Sequence, residues 1–228
     1  MKNIVFIAPP AAGKGTQSKK ICSFYKVPHI SIGDLLRDIS TDTEEGKYIA
    51  QQMKQGILVK DETIAHLLEE RLQKEDCVNG YVLDGFPRNK EQAIIYDKML
   101  SKLGKKVDIA LYLEIEYEAL KDRIAYRVSC PNCGHVFNTR IDTLKPKKEG
   151  LCDHCHHILT KRSDDNEDSF KKRWNTYQTE TEPLIDFYKQ KNILHPINSM
   201  QTADEIFKEI LQILEEGASW FLLNQIEK

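Results

Sequence analysis

Two pairs of cysteines, Cys130 with Cys133 and Cys152 with Cys155, are each spaced Cys-x-x-Cys and stand 18 residues apart. Each pair can set two thiolates on one ion. Four sulfurs close a tetrahedral shell, so the expected occupant is a structural Zn²⁺ and not a catalytic metal with an open position. Disulfide pairing is the alternative, disfavoured in a reducing compartment. His135, His154, His156 and His157 flank the pairs and stay unassigned, because four cysteines leave no vacancy. A second chemical signal is Ala11-Ala12-Gly13-Lys14-Gly15-Thr16, which follows an apolar run at 3–8 and precedes a helix-like stretch at 16–25. A strand, a glycine-containing turn and a helix start together aim backbone N–H groups at an anion. Lys14 would reach the outer phosphates of a nucleotide as a point charge, and the Thr16 hydroxyl would help hold Mg²⁺. The full pattern G-x-x-x-x-G-K-[ST] is absent, since Ala8 stands at its first glycine and Gly15 follows Lys14. An ordinary turn carrying an exposed lysine is the other reading.

The elements that must position these groups are legible in outline. Apolar cores recur at 80–84, 108–113 and 192–197, separated by stretches of helical spacing at 62–74, 90–103, 116–126 and 203–215. Strands alternating with helices predict an α/β fold whose parallel sheet is covered by helices on both faces. Two segments break the rhythm. Residues 31–60 read as helical with no strand, and residues 128–165 are rich in Cys, His, Lys and Gly with little helical character. Both read as insertions. Lys145, Lys147 and Lys148 read as a solvated loop, and Cys22 and Cys77 as small buried apolar residues.

The chain has 228 residues and a mass of 26.4 kDa, enough for one domain or one core with inserts. Apolar residues make up 40% and charged residues 30%, which excludes disordered and fibrous classes. Lys plus Arg (33) nearly balances Asp plus Glu (35), leaving a net charge of −2 and no overall pull toward nucleic acid or anionic membrane. Phosphate-binding charge must therefore be local. The apolar runs fall well short of a membrane span, and the N-terminal run turns into Pro and Gly too early for a signal peptide, so the expected location is the cytoplasm.

Gly13-Lys14-Gly15-Thr16-Gln17, Ser31-Ile32-Gly33-Asp34-Leu35-Leu36-Arg37 and Leu83-Asp84-Gly85-Phe86-Pro87-Arg88 together resemble the adenylate kinases, the nucleoside-monophosphate kinases of the P-loop class. The resemblance runs over nearly the whole chain and implies reversible transfer of the terminal phosphoryl of Mg-ATP to AMP, giving two ADP. It implies a core at 1–30, 61–127 and 166–228, an AMP-binding insert at 31–60, and a zinc-bearing lid at 128–165 hinged near Val128 and Asp164–Asp165. ATP would lie on Gly13, Lys14, Gly15, Thr16, Arg123 and Arg127. AMP would meet Ile32, Arg37, Gly85, Arg88, Gln92, Arg162 and Arg173, with Gln92 on the acceptor adenine and Asp84 near the Mg²⁺ shell through water. The transferring group would be surrounded by Lys14, Arg88, Arg127, Arg162 and Arg173. The implied partners are ATP, AMP and ADP, with no nucleic acid and no membrane, and the expected state is a monomer.

Two departures stand out. Ile32 occupies a position where the family often has threonine, which removes one hydroxyl contact to the acceptor base. Ala8 and Ala11 replace loop glycines, and alanine disfavours positive φ. The rival readings are a kinase for UMP or CMP and a non-catalytic, nucleotide-sensing zinc-ribbon protein. The segment 217–228, with Trp220, Phe221, Leu222, Leu223 and Ile226, reads as a terminal helix packed on the core or as a self-association surface.

Overall fold

The computed structural model describes residues 2–37, 39, 42–55, 59–161 and 165–226, leaving aside the side chains of 34, 37, 45, 53–55 and 216–226. Its elements run β1 (Asn3–Ile7), α1 (Lys14–Tyr25), β2 (His29–Ser31), α2 (Ile32–Arg37), α3 (Glu44–Gln55), α4 (Asp61–Leu72), β3 (Tyr81–Asp84), α5 (Lys90–Lys102), β4 (Ile109–Glu114) and α6 (Tyr117–Ala125). They continue with β5 (Arg127–Ser129), β6 (Val136–Asn138), α7 (Glu167–Thr176), α8 (Leu184–Gln190), β7 (Leu194–Asn198) and α9 (Ala203–Ile226). Five strands make one parallel sheet flanked by helices, in the order β2-β3-β1-β4-β7, and β5 and β6 make a separate antiparallel pair.

The α/β reading therefore holds, and the reason is burial on both strand faces. Ile4, Val82, Leu83, Ala110 and Leu111 are fully buried, each apolar side chain contributing roughly 1.5–3 kcal/mol of transfer free energy. Helix spacing follows the same rule: α4 buries Ile64, Leu68 and Leu72, one stripe four residues apart. Strand β2 was not visible in the sequence, because three residues are too few to display a period. Helices α7 and α8 were also missed.

The chain divides into two units. The first comprises Met1–Ile7, Ser18–Leu111 and Pro183–His195. Its register is Asn3 opposite Tyr81 and Ile30 opposite Leu83, with α4 against α5 and Tyr81 bonded to Tyr96 through their hydroxyls at 2.6 Å. The second comprises Ala8–Gln17, Tyr112–Glu182 and Pro196–Lys228. In it α6 and α7 are joined by Tyr117, which stacks on Phe170 at 5.4 Å and touches Trp174 at 4.9 Å. Asn138 at the end of β6 is buried and donates to the carbonyls of Asp122 and Arg123 in the last turn of α6.

Among the described residues no helix is long and apolar enough to cross a membrane. The backbone of α9 continues through Ile226, beyond the expected end at 215, while the apolar side chains named for 217–228 lie outside the described residues. Asp164, one expected hinge residue, also lies outside them.

Candidate functional site

In the second unit the loop after β1 turns at Pro9–Ala12, where the Ala12 N–H donates to the Pro9 carbonyl at 3.3 Å. Pro10 precedes Ala11, whose φ is +63°, and Gly13 follows at +104°. Proline second and positive φ third is the pattern of a type II turn, in which the third position favours Gly. Ala8 is not in the left-handed region, whereas Ala11 is, so only one of the two replaced glycines leaves strain behind. Helix α1 starts at once, with Thr16 and Gln17 N–H both donating to Gly13 C=O at 3.1 Å. Lys14 Nζ folds back to Ala8 C=O at 3.4 Å. Gln17 Nε2 ties the helix to Ala203 C=O at 2.9 Å, where a Thr202/Glu205 capping box opens α9.

Arg123, on α6, donates through Nη1 to Ala12 C=O at 3.2 Å and through Nη2 to Ser199 C=O at 2.7 Å. Burial pulls this guanidinium below its ordinary pKa. Arg127, at the head of β5, is buried in a two-pronged pair with buried Asp165: Nε meets Oδ2 at 2.7 Å and Nη2 meets Oδ1. Arg173 sits half-buried on α7, whose N-cap Asn166 accepts from Ser169 N–H at 2.9 Å. Arg162 lies outside the described residues.

Of the residues expected to meet AMP, the first unit carries Ile32, Arg37, Gly85, Arg88 and Gln92, whereas Arg162 and Arg173 fall in the second. Gly85, at φ +86°, follows β3, and its C=O accepts from Arg88 Nε at 3.0 Å. A Cβ added there would lie 3.7 Å from Arg88 Nη2 and 4.0 Å from Ile32 Cβ, so backbone conformation and not space reserves the position for glycine. Arg88 sits in an atom-dense recess yet keeps its surface open; desolvation lowers its pKa, and nearby Asp84 opposes that shift. Such a cation gains from a bound anion. Gln92 is buried, and its amide makes two bonds: Nε2 donates to Asp61 Oδ1 at 2.7 Å and Oε1 accepts from Arg88 N–H at 2.7 Å. Asp84 stands 3.7 Å from His29 Nε2. Ile32 is buried at the start of α2, and the Arg37 side chain lies outside the described residues.

The two cysteine pairs form matching knuckles. Cys130 N–H donates to His135 C=O and Gly134 N–H to Cys130 C=O; Cys152 N–H donates to His157 C=O and His156 N–H to Cys152 C=O. The fourth residue after each leading cysteine has positive φ, Gly134 at +65° and His156 at +59°. All four Sγ atoms lie within 4.8 Å of one another, with neighbours at 3.3 to 3.5 Å. Those separations exceed the ~2.05 Å of a disulfide. They suit a tetrahedron of ~2.3 Å metal–sulfur bonds, whose edges are about 3.8 Å. Cys77 is buried and Cys22 only half-buried, and burial raises both thiols, Cys22 to about 12, so neither has thiolate character.

Asp61 and Ser199 were not singled out in the sequence, and Asp165 was named there only as a hinge residue, not as the partner of Arg127. Each partner lies 31 to 187 residues away, and no local pattern announces it.

A family model described as Adenylate kinase matches residues 6–193. The chain belongs to the adenylate kinase family. A protein from Archaeoglobus fulgidus named "Adenylate kinase" is 41% identical over 215 residues, covering 94% of this chain and 98% of its own. One of the same name from Thermosipho africanus is 40% identical over 213 residues (93% and 99%), and one from Caldanaerobacter subterraneus 43% over 212 residues (92% and 95%). The reaction of an adenylate kinase is phosphoryl transfer between ATP and AMP, and the rival readings, a UMP or CMP kinase and a non-catalytic sensor, are not favoured.

Proposed function

We propose that the enzyme moves the terminal phosphoryl of Mg-ATP to AMP in line, with the donor on the loop before α1 and the acceptor on the residues after β3. The observation that carries the donor assignment is the loop itself, in which Gly13 at +104° leads directly into the start of α1, the end of a helix that favours an anion. Gly13, Gly15 and Thr16 cradle phosphate, Lys14 neutralises the outer oxygens, and Arg123 and Arg127 complete the donor side. Arg37, Arg88, Gln92, Arg162 and Arg173 hold AMP and the moving group, beside Gly85 and Ile32.

An AMP phosphate oxygen attacks the γ-phosphorus while the bond to the β,γ-bridging oxygen breaks, so ADP leaves on one side and ADP forms on the other. Transfer needs the reacting atoms about 3–3.5 Å apart and charge stabilised on the equatorial oxygens, and arginines meet that demand without covalent chemistry. Thr16 and Asp84 would meet the shell of the Mg²⁺ that accompanies ATP, which would offset phosphate charge there.

The four cysteines would hold Zn²⁺ in a closed S₄ shell, which would substitute for a hydrophobic core in a segment whose buried cluster, among the described residues, is Cys130, Phe137, Cys152 and Leu159. Residues 31–60 serve as the AMP-side insert and 128–165 as the lid over ATP. The protein works as a cytoplasmic monomer.

Purified protein supplied with Mg-ADP alone must yield ATP and AMP in equal amounts. Failure to form either at ample enzyme rejects the activity. AMP, UMP, CMP and GMP offered with Mg-ATP decide acceptor choice, with AMP expected to have the highest kcat/KM.

A further inference from the structure

Ala11 holds φ +63° in a turn that favours glycine at that position, so something outside the turn must select this shape. The structure supplies it in a closed ring of three residues. The Ser199 hydroxyl donates to Ala12 C=O at 2.6 Å, Arg123 Nη1 donates to the same oxygen at 3.2 Å, and Arg123 Nη2 donates to Ser199 C=O at 2.7 Å. Ser199 is fully buried and Ala12 nearly so, while Arg123 is half-buried, which places the Ser199–Ala12 bond out of water, where losing the hydroxyl leaves a carbonyl short of a donor. Ser199 is itself anchored, because its N–H donates to Glu114 C=O at 2.8 Å at the end of β4.

We propose that Ser199 is a positioning residue for ATP: its hydroxyl grips the Ala12 carbonyl and keeps the phosphate loop in the cradle shape that Ala11 by itself resists. Ser199 touches no nucleotide in this role. It acts through the loop, offsetting the preference for glycine that alanine cannot meet. Arg123 shares the grip but is also assigned to the ATP side, so Ser199 is the residue whose removal reports the grip alone. The inference rests on the reading of this loop as the ATP-phosphate site.

The experiment is a double-mutant cycle on the full enzyme. Ser199→Ala, Ala11→Gly and the double variant are compared by KM for Mg-ATP at saturating AMP, KM for AMP at saturating ATP, and melting temperature. Ser199→Ala should raise KM for Mg-ATP about tenfold, the size set by a lost buried hydrogen bond, and leave KM for AMP within about twofold. In the Ala11→Gly background, where positive φ is no longer disfavoured, the same substitution should raise KM for Mg-ATP less than about threefold. A merely structural serine would lower the melting temperature and shift both KM values together in both backgrounds, which overturns the proposal. Equal Mg-ATP penalties in the two backgrounds overturn it too. Should Ser199→Ala fail to fold, Ser199→Cys, with a weak donor of similar volume, must show the same dependence on background. Lys14→Ala separates the two levels: if it transfers phosphoryl at the wild-type rate, the phosphate-loop reading itself fails, whereas an inactive Lys14→Ala with equal Ser199 penalties condemns the inference alone.

Discussion

The cysteine knuckles and the phosphate loop belong to the same unit and are built by opposite means. Each knuckle closes over six residues, its hydrogen bonds running from Cys130 to His135 and from Cys152 to His157, and the two knuckles meet across a short insert. The phosphate loop is held from afar, by Arg123 at 111 residues' separation and Ser199 at 187. Local construction brings the four donor atoms together through two short turns. Distant construction makes the loop's shape a property of the packed fold, set in part by Ser199, a side chain with no assigned contact to the nucleotide.

Removing the knuckle metal tests the local half and should have the largest effect, because structural Zn²⁺ in small modules is worth on the order of 10–16 kcal/mol of folding free energy. Chelation, or Cys130→Ser with zinc stoichiometry measured alongside, should melt the 128–161 region before the sheet, as read by hydrogen exchange; unchanged protection after verified metal loss would sink the structural-zinc reading.

Asp165→Asn tests the distant half at its most buried pair. It leaves the Arg127 guanidinium buried beside a neutral partner, a change of about 3–5 kcal/mol, so chemical denaturation should show a lower midpoint. A loss below about 1 kcal/mol means that the pair adds little beyond packing.

Lys14→Ala should lower kcat about 10²- to 10³-fold in the Mg-ADP assay, the usual result of deleting one preorganised charge from a transition state, with zinc content intact. Loss of zinc in the same variant would show the two regions to be coupled.

The smallest effect is expected at Asn166→Ala, a local device. Removing the cap that accepts from Ser169 N–H should reduce stability by about 1 kcal/mol and leave metal binding unchanged. A loss several times larger would mean that α7, which carries Arg173, is nucleated by this one residue.

Legibility follows the same divide. The knuckles, the loop at 11–16 and the strands β1, β3, β4 and β7 each leave a mark within a dozen residues, as a Cys spacing, a Gly-Lys-Gly-Thr string or an apolar run. Strand β2 left none, being three residues long. Gln92 shows what sequence leaves out: the resemblance points to the position, but the bonds of its amide to the Asp61 carboxylate and the Arg88 N–H appear only in the folded chain.

The sequence by itself determined the family, the parallel α/β plan and the four metal-ligand candidates, because periodicity and short spacings are written within one or two turns of chain. Only the tertiary structure decided that Ala11 accepts positive φ while Ala8 does not, that Arg127 is paired with Asp165, and that Ser199 reaches Ala12. Those outcomes depend on which side chains share a dry space. Distance along the chain carries no record of that.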